Sequence, residues 1–245
     1  MFLDPPERTE VELPFTPSII YQDDRIAVAE KPHFLPTTPR GAFVKQTALI
    51  KLRNALDQPE LSPSHRLDRL TAGLLVFTKK REYRAAYHDL FARRQVVKTY
   101  QAVAPYRAGL SDWVSVHSRI QKISGIMQAS EIPGPVNATS QIRCVAKWET
   151  TPADRAQMYE KYHHEPTLGC YELKPLTGKT HQLRLHMTRL GVSIVNDNYY
   201  PNVFDIDVLE FGKPLQLLAK TLDFIDPISG QHHHFVSRQE LSLHP

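Results

Sequence analysis

Apolar positions along the chain follow two periods and one unbroken pattern, and together these predict its elements. Continuous apolar character from Gly73 to Phe77 predicts a buried strand. Short strands are expected at Ile19–Tyr21 and Ile26–Ala29. Alternation predicts further strands at Val97–Ala104, Trp113–Arg119, Gln141–Trp148 and Gly169–Leu173. Leu215–Phe224 and His232–Val236 flank Asp226-Pro227-Ile228-Ser229-Gly230, which has the turn chemistry of a hairpin.

Helical spacing appears in three places. Leu49, Leu52 and Leu56 recur within Gln46–Leu56, and Pro59 stops the segment. Tyr83, Ala86, Tyr87, Leu90 and Phe91 form a second stripe, whose aromatic rings are read as core and not as base-stacking groups. His181–Leu190 predicts a short helix with Thr180 as N-cap and Gly191 just past its end. From Gln121 to Pro135 the pattern fades, which suits a long hairpin or surface loop. Strands outnumber helices and few are separated by long ones. The expected fold is therefore α+β, with a mixed, largely antiparallel sheet flanked by helices and loops. Residues 1–17 carry Pro5, Pro6, Pro14 and Pro17 and read as an extended arm; residues 18–245 read as one domain.

Composition narrows the options only modestly. Hydrophobic residues at 41% and charged residues at 23% are ordinary globular values. No apolar run is long enough to span a membrane, and the first residues lack the pattern of a signal peptide. Cys144 and Cys170 lie far apart without metal-ligand spacing, so two free thiols in a reducing cytoplasm are expected. The net charge of +4 permits a nucleic acid partner without requiring one. Lys79, Lys80, Arg81 and Arg84 open one segment that Arg93, Arg94 and Lys98 close.

The candidate chemistry centres on His65-Arg66-Leu67-Asp68-Arg69-Leu70-Thr71-Ala72-Gly73-Leu74. Asp68 stands between two arginines at the mouth of the predicted buried strand. Nearby cations favour the ionised carboxylate, which suits a nucleophile or an electrostatic stabiliser better than a general acid. The structural alternative is a turn residue paired with Arg69 on the surface. Arg184 lies beside the apolar positions Leu183, Met187 and Leu190 of its predicted helix. An arginine at such a boundary needs an acidic partner or a phosphate, or else snorkels to solvent.

The Asp68 segment resembles the aspartate motif of the RluA-type pseudouridine synthases, with Ala72 where that family usually has Ser. Lys98-Thr99-Tyr100 is similar to the family's Lys-x-Tyr element. Leu173–His186 is similar to its third motif, with Lys179 in place of the more usual Arg. Ile20–Pro32 looks like the opening strand pair, and Asp197-Asn198-Tyr199-Tyr200 also fits, although Asn196 stands where Gly is common. The resemblance runs from about Ser18 to about Phe235. Many relatives carry a small basic module before the catalytic domain, and a first family-like strand near Ser18 leaves no place for one.

What the resemblance implies is isomerisation of uridine to pseudouridine in a structured RNA, a ribosomal or transfer RNA stem-loop, by a monomer without a cofactor. The uridine must be flipped out of its stack. Asp68 would act at the ribose, by attack or by removing a proton beside the anomeric carbon. Tyr100 would stack on uracil and assist loss of the C5 proton, and Arg184 would pair with Asp68. Arg66, Arg69, His65 and Lys179 would contact the substrate, and Leu183 would wall the base. No metal site is expected: His181 and His186 point to different helix faces, and His232-His233-His234 alternate as a solvated strand edge or polar contact. Two other classes remain open, a noncatalytic RNA-binding protein of the same fold and a hydrolase of N-glycosidic bonds.

Overall fold

The computed structural model describes residues 10–203, 207 and 209–243. Most of the predicted arm, including Pro5 and Pro6, lies outside them. Among the described residues there are twelve strands: β1 (Ser18–Gln22), β2 (Ile26–Lys31), β3 (Ser62–Pro63), β4 (Ala72–Thr78), β5 (Val97–Pro105), β6 (Val114–Ser118), β7 (Ile120–Gln121), β8 (Ser130–Glu131), β9 (Ala138–Glu149), β10 (Thr167–Pro175), β11 (Leu217–Ile225) and β12 (His232–Val236). Four α-helices accompany them: α1 (Ala48–Leu56), α2 (Arg84–Ala92), α3 (Pro152–Ala156) and α4 (Gln182–Arg189). No helix of the described residues is long and apolar enough to cross a membrane.

β2 and β4 are buried at every position, because their apolar residues meet cover on both faces of the sheet. One sheet takes ten strands in the order β1-β2-β4-β11-β5-β10-β9-β6, with β3 added to β4 and β12 to β11. Its pairs are antiparallel except β4 with β11, which run parallel through Leu218↔Ala72 and Ala219↔Gly73. The sheet is thus mixed and largely antiparallel, in an α+β fold. Gly73 makes the parallel join possible. Its φ is +114°, and a Cβ there would sit 2.6 Å from the Ala219 amide nitrogen and 2.8 Å from its carbonyl carbon.

β7 and β8 form a separate two-stranded ribbon at the base of the 121–135 segment, as a long hairpin requires. Helix α1 begins two residues inside its predicted range, capped by the Thr47 side chain and ended by Asp57 in the left-handed region. Helix α4 departs from expectation at its start. Its N-cap is His181, with φ 56°, and no side chain caps it; Thr180 stands outside. The His181 ring is engaged elsewhere, as the site shows. At the other end Gly191 (φ +76°) closes the helix, with the Val192 amide on the Met187 carbonyl and the Gly191 amide on Thr188.

The aromatic stripe of α2 divides. Tyr87 is fully buried, as a core residue should be. Phe91 is only partly covered: it packs against the core cluster of Tyr87 and Leu90 and also stacks on His65 at 4.2 Å between centroids, at the edge of the cleft. His232 and His234 flank Asp223 at 3.0 Å each, while His233 turns inward beside Asp226. The described part of the arm is tied down. Leu13 is buried, and the Lys51 ammonium donates to the carbonyls of Leu13 and Phe15 at 2.8 Å.

Candidate active site

Asp68 lies in the loop between β3 and β4, and buried neighbours hold that loop from beneath. Leu67 and Leu70 bury their side chains on either side of it. The Thr37 hydroxyl donates to the Leu67 carbonyl at 2.8 Å and accepts its amide at 3.2 Å. The Lys31 ammonium donates to the carbonyls of Arg69 (3.1 Å), Leu35 (2.8 Å) and Pro32 (2.9 Å). The His33 Nδ1–H donates to the Leu70 carbonyl at 2.7 Å. A turn closes with the Thr71 amide on the Asp68 carbonyl at 3.1 Å. The carboxylate itself is left partly exposed, at 36% of its side-chain surface.

Burial shifts both supporting bases downward: Lys31 to about 7, with Asp68 opposing the shift, and His33 to about 4. His65 is a second neutral ring. Burial, with Lys98 adding to it, holds His65 near 3, and its Nε2 accepts the Val76 amide at 3.2 Å. That bond ties the motif's first residue to β4, while the ring also lines the cleft.

Neither flanking arginine pairs with Asp68. Arg66 is exposed on the cleft wall, and the Arg69 guanidinium lies 5.8 Å from the centre of the Phe43 ring. Among the described residues the group nearest the carboxylate in ion-pair geometry is His181, whose Nε2 is 3.8 Å from Asp68 Oδ2.

Tyr100 stands on β5 opposite Ala219 of β11 and Leu173 of β10. It packs against two core clusters at once, so its ring sits at the seam of the sheet. Burial and then the Asp68 charge raise its phenol, which stays protonated at neutral pH. Lys98, two residues earlier, lines the same cleft, and burial lowers its ammonium.

Arg184 is 1% exposed and has the acidic partner its position demands, but that partner is Asp197. Nε donates to Oδ2 at 2.7 Å and the terminal nitrogen to Oδ1 at 2.5 Å. Oδ1 also accepts the amides of Tyr199 (2.8 Å) and Tyr200 (3.1 Å). The expected Asp68–Arg184 pair is therefore not formed. A two-pronged, fully buried carboxylate satisfies the planar guanidinium better than a half-exposed one. Asp68 acts on Arg184 only through space: burial lowers the guanidinium, and Asp197 first, with Asp68 after it, turns the net shift upward.

One cleft of about 740 Å³ collects every candidate catalytic and substrate-contacting residue, while of the lysines and arginines from Lys79 to Lys98 only Lys98 lines it. Asp68, Tyr100, Arg184, Arg66, Arg69, Leu183, Lys179 and His65 line it together. Leu183 is buried and apolar, and Lys179 is exposed. Sequence reasoning passed over Phe43, Lys122, Ile126, Met127, His181 and Tyr199 as lining groups. Only the motif position of His181 and Tyr199 could have flagged them. Among the described residues, one trio has metal-ligand geometry, Asp23 with Asp226 and His233, and it lies outside the cleft. Arg25 already reaches both acids there, at 3.2 and 3.6 Å.

A half-exposed carboxylate beside a protonated phenol and a buried guanidinium, in a cleft walled by cationic side chains, defines an enzyme site for a polyanionic substrate. The family model described as RNA pseudouridylate synthase matches residues 25–189, and the chain belongs to that family. It is 30% identical over 212 residues to the dual-specificity RNA pseudouridine synthase RluA of Vibrio vulnificus (strain CMCP6), covering 86% of this chain and 78% of that one. It is 28% identical over 193 residues to the tRNA pseudouridine(31) synthase of Saccharomyces cerevisiae, covering 75% of this chain and 46% of the relative. Other relatives are matched over as little as 30% of their length. The solved structure of human RNA pseudouridylate synthase domain containing 4 shares the fold, with TM-score 0.65, 23% identity, and coverage of 91% of this chain and 88% of that one.

Proposed function

We propose that this protein isomerises uridine to pseudouridine in a structured ribosomal or transfer RNA, with Asp68 as the group that acts at the ribose. The observation that carries this reading is the Asp68 carboxylate, held on a pinned loop beside Tyr100 in the basic cleft. A flipped uridine would stack on Tyr100 with Leu183 as an apolar wall. Arg66, Lys98 and Lys179 are placed to meet flanking phosphates. Names of relatives support an RNA substrate, and a transfer RNA among the possibilities. The half-buried free thiols of Cys144 and Cys170 are compatible with a reducing cytoplasm, and we place a monomer there.

Release of tritium from RNA carrying 5-tritiated uridine tests the reading, because the C5 proton leaves only when carbon replaces nitrogen at the sugar. Stoichiometric release by the wild type, and none by Asp68→Asn, is expected. Base release without tritium loss would mark a glycosidic hydrolase instead. Tight binding with neither product would mark a noncatalytic RNA-binding protein.

A further inference from the structure

His181 has a backbone conformation that histidine rarely adopts and a ring that does not serve the helix it begins. Its φ of 56° lies in the left-handed region, which costs a residue with a Cβ about 1 kcal/mol or more. No capping bond compensates. The ring is buried, stacked on Tyr199 at 5.6 Å and 30°, and set edge-on to Tyr200 at 5.7 Å and 84°. Its Nδ1 lies 2.9 Å from the Tyr200 hydroxyl, and its Nε2 lies 3.8 Å from Asp68 Oδ2. The ring therefore spans the space between a buried phenol and the reacting carboxylate.

The Tyr200 hydroxyl has one proton and two candidates for it. It accepts the Ala129 amide at 3.0 Å and is set to donate to the Ala129 carbonyl at 2.8 Å, a bond it gives up whenever it donates to His181 instead. If it donates to that carbonyl, Nδ1 must carry the imidazole proton and the Nε2 lone pair confronts a carboxylate. If it donates to Nδ1, the proton sits on Nε2 and is aimed at Asp68. The charge of Asp68 favours the second arrangement. Burial, opposed by Asp68 and Asp197 and helped by Arg184 and Lys122, keeps the ring near pKa 4, so it is neutral at pH 7. The Asp68 side chain makes no hydrogen bond among the described residues, and at 3.8 Å the His181 ring is close but not bonded, so the carboxylate is free to rotate toward Nε2–H; catalytic bonds commonly tighten when substrate enters.

We propose that His181 is a positioning residue for the reaction: Tyr200 fixes its Nε2–H tautomer, and that N–H sets the orientation of the Asp68 carboxylate beneath the substrate ribose. This rests on the reading of Asp68 as the group that acts at the ribose. It also assigns the left-handed backbone of His181 a purpose, since a helical start would swing the ring away from the loop.

Two measurements test it. Nitrogen-15 spectra of histidine-labelled protein report the tautomer directly, without reference to activity. An Nε2–H signal for His181 is expected, and an Nδ1–H signal would overturn the proposal. In single-turnover kinetics, His181→Asn tolerates the left-handed backbone and can still meet Tyr200, but ends short of Asp68. It should slow the reaction by about 10- to 100-fold, the scale of a positioned proton donor, with RNA affinity within about twofold of wild type. His181→Gln places an amide N–H near the Nε2 position and should recover most of the loss. Wild-type rates for His181→Asn, or equal slowing in a folded His181→Gln, would sink the idea. Should the wild type release no tritium at all, the proposed function fails, while the tautomer still reports on the His181–Asp68 geometry.

Discussion

Two walls of the same cleft are built in opposite ways. The Asp68 loop presents few apolar atoms to solvent, and side chains behind it fix its backbone: Thr37 on Leu67, Lys31 on Arg69 and His33 on Leu70. The 121–135 hairpin lines the cleft with Lys122, Gly125, Ile126 and Met127, and Met127 is 66% exposed. Its described ties to the body include the Gln128 side chain on the Tyr199 carbonyl and the Ala129 amide on Tyr200. If Asp68 acts at a ribose carbon, as proposed, little misplacement is tolerated there, and a loop held in advance suits that task. The exposed apolar side chains of the hairpin would instead offer contact surface to the proposed RNA.

Breaking the fixed wall at its reactive atom should have the largest effect. Asp68→Asn is expected to lower turnover by about four orders of magnitude or more, as loss of a reacting group does. Stability should move by no more than about 0.5 kcal/mol, since the carboxylate holds nothing else in place. Single-turnover rates and a thermal melt on the same sample check both halves. A large loss of stability would mean that Asp68 is structural.

Next in size is the pair behind the site. Asp197→Ala leaves the Arg184 guanidinium buried without its partner and should destabilise the fold by about 3–5 kcal/mol. Chemical denaturation measures it. If instead Asp68→Ala removed as much stability as Asp197→Ala, Arg184 would be paired with the reactive carboxylate after all.

A third test concerns pH. Lys31 is held near 7 in the fold, against 10.5 when exposed. Below pH 7 the lysine is charged in both states. Between about 7 and 10.5 the unfolded chain keeps a proton that the folded one has released, so stability from this group rises with pH. Unfolding free energy measured at pH 6.5 and pH 9 should therefore increase in the wild type relative to Lys31→Met. Parallel changes in the two proteins would place the Lys31 ammonium in water.

How much of this was legible depends on whether the signal is local. Strand β4 announces itself by its unbroken apolar run and strand β5 by alternation, and the residues of three ordered motifs led to one cleft. Partner choice was not legible. Arg184 demanded an acid, and two aspartates were available; only the fold shows that Asp197, thirteen positions on, meets it within the core. The cap of α4 failed for a similar reason. Thr180 is the better local cap, but His181 is drawn into the left-handed position by Tyr199, Tyr200 and Asp68. Helix α3 went unread although Thr151 and Asp154 form a capping box, because a five-residue helix carries no apolar period.

The smallest expected effect falls on the hairpin wall. Ile126 and Met127 are 49% and 66% exposed and both line the cleft, which is an unusual place for apolar side chains beside Lys122. If they touch the RNA near the flipped uridine, replacing both by serine removes apolar contact and leaves the Asp68 loop as it was. Apparent KM for RNA should rise by about three- to tenfold, equivalent to about 1 kcal/mol of lost contact. The single-turnover rate at saturating RNA should stay within about twofold, and the melting temperature should not fall, because exposed side chains contribute little to the fold. A fall in the saturated rate without a change in KM would reverse the assignment of the two walls. The hairpin would then take part in aligning the reacting groups, and the fixed loop alone would not be sufficient for the chemistry.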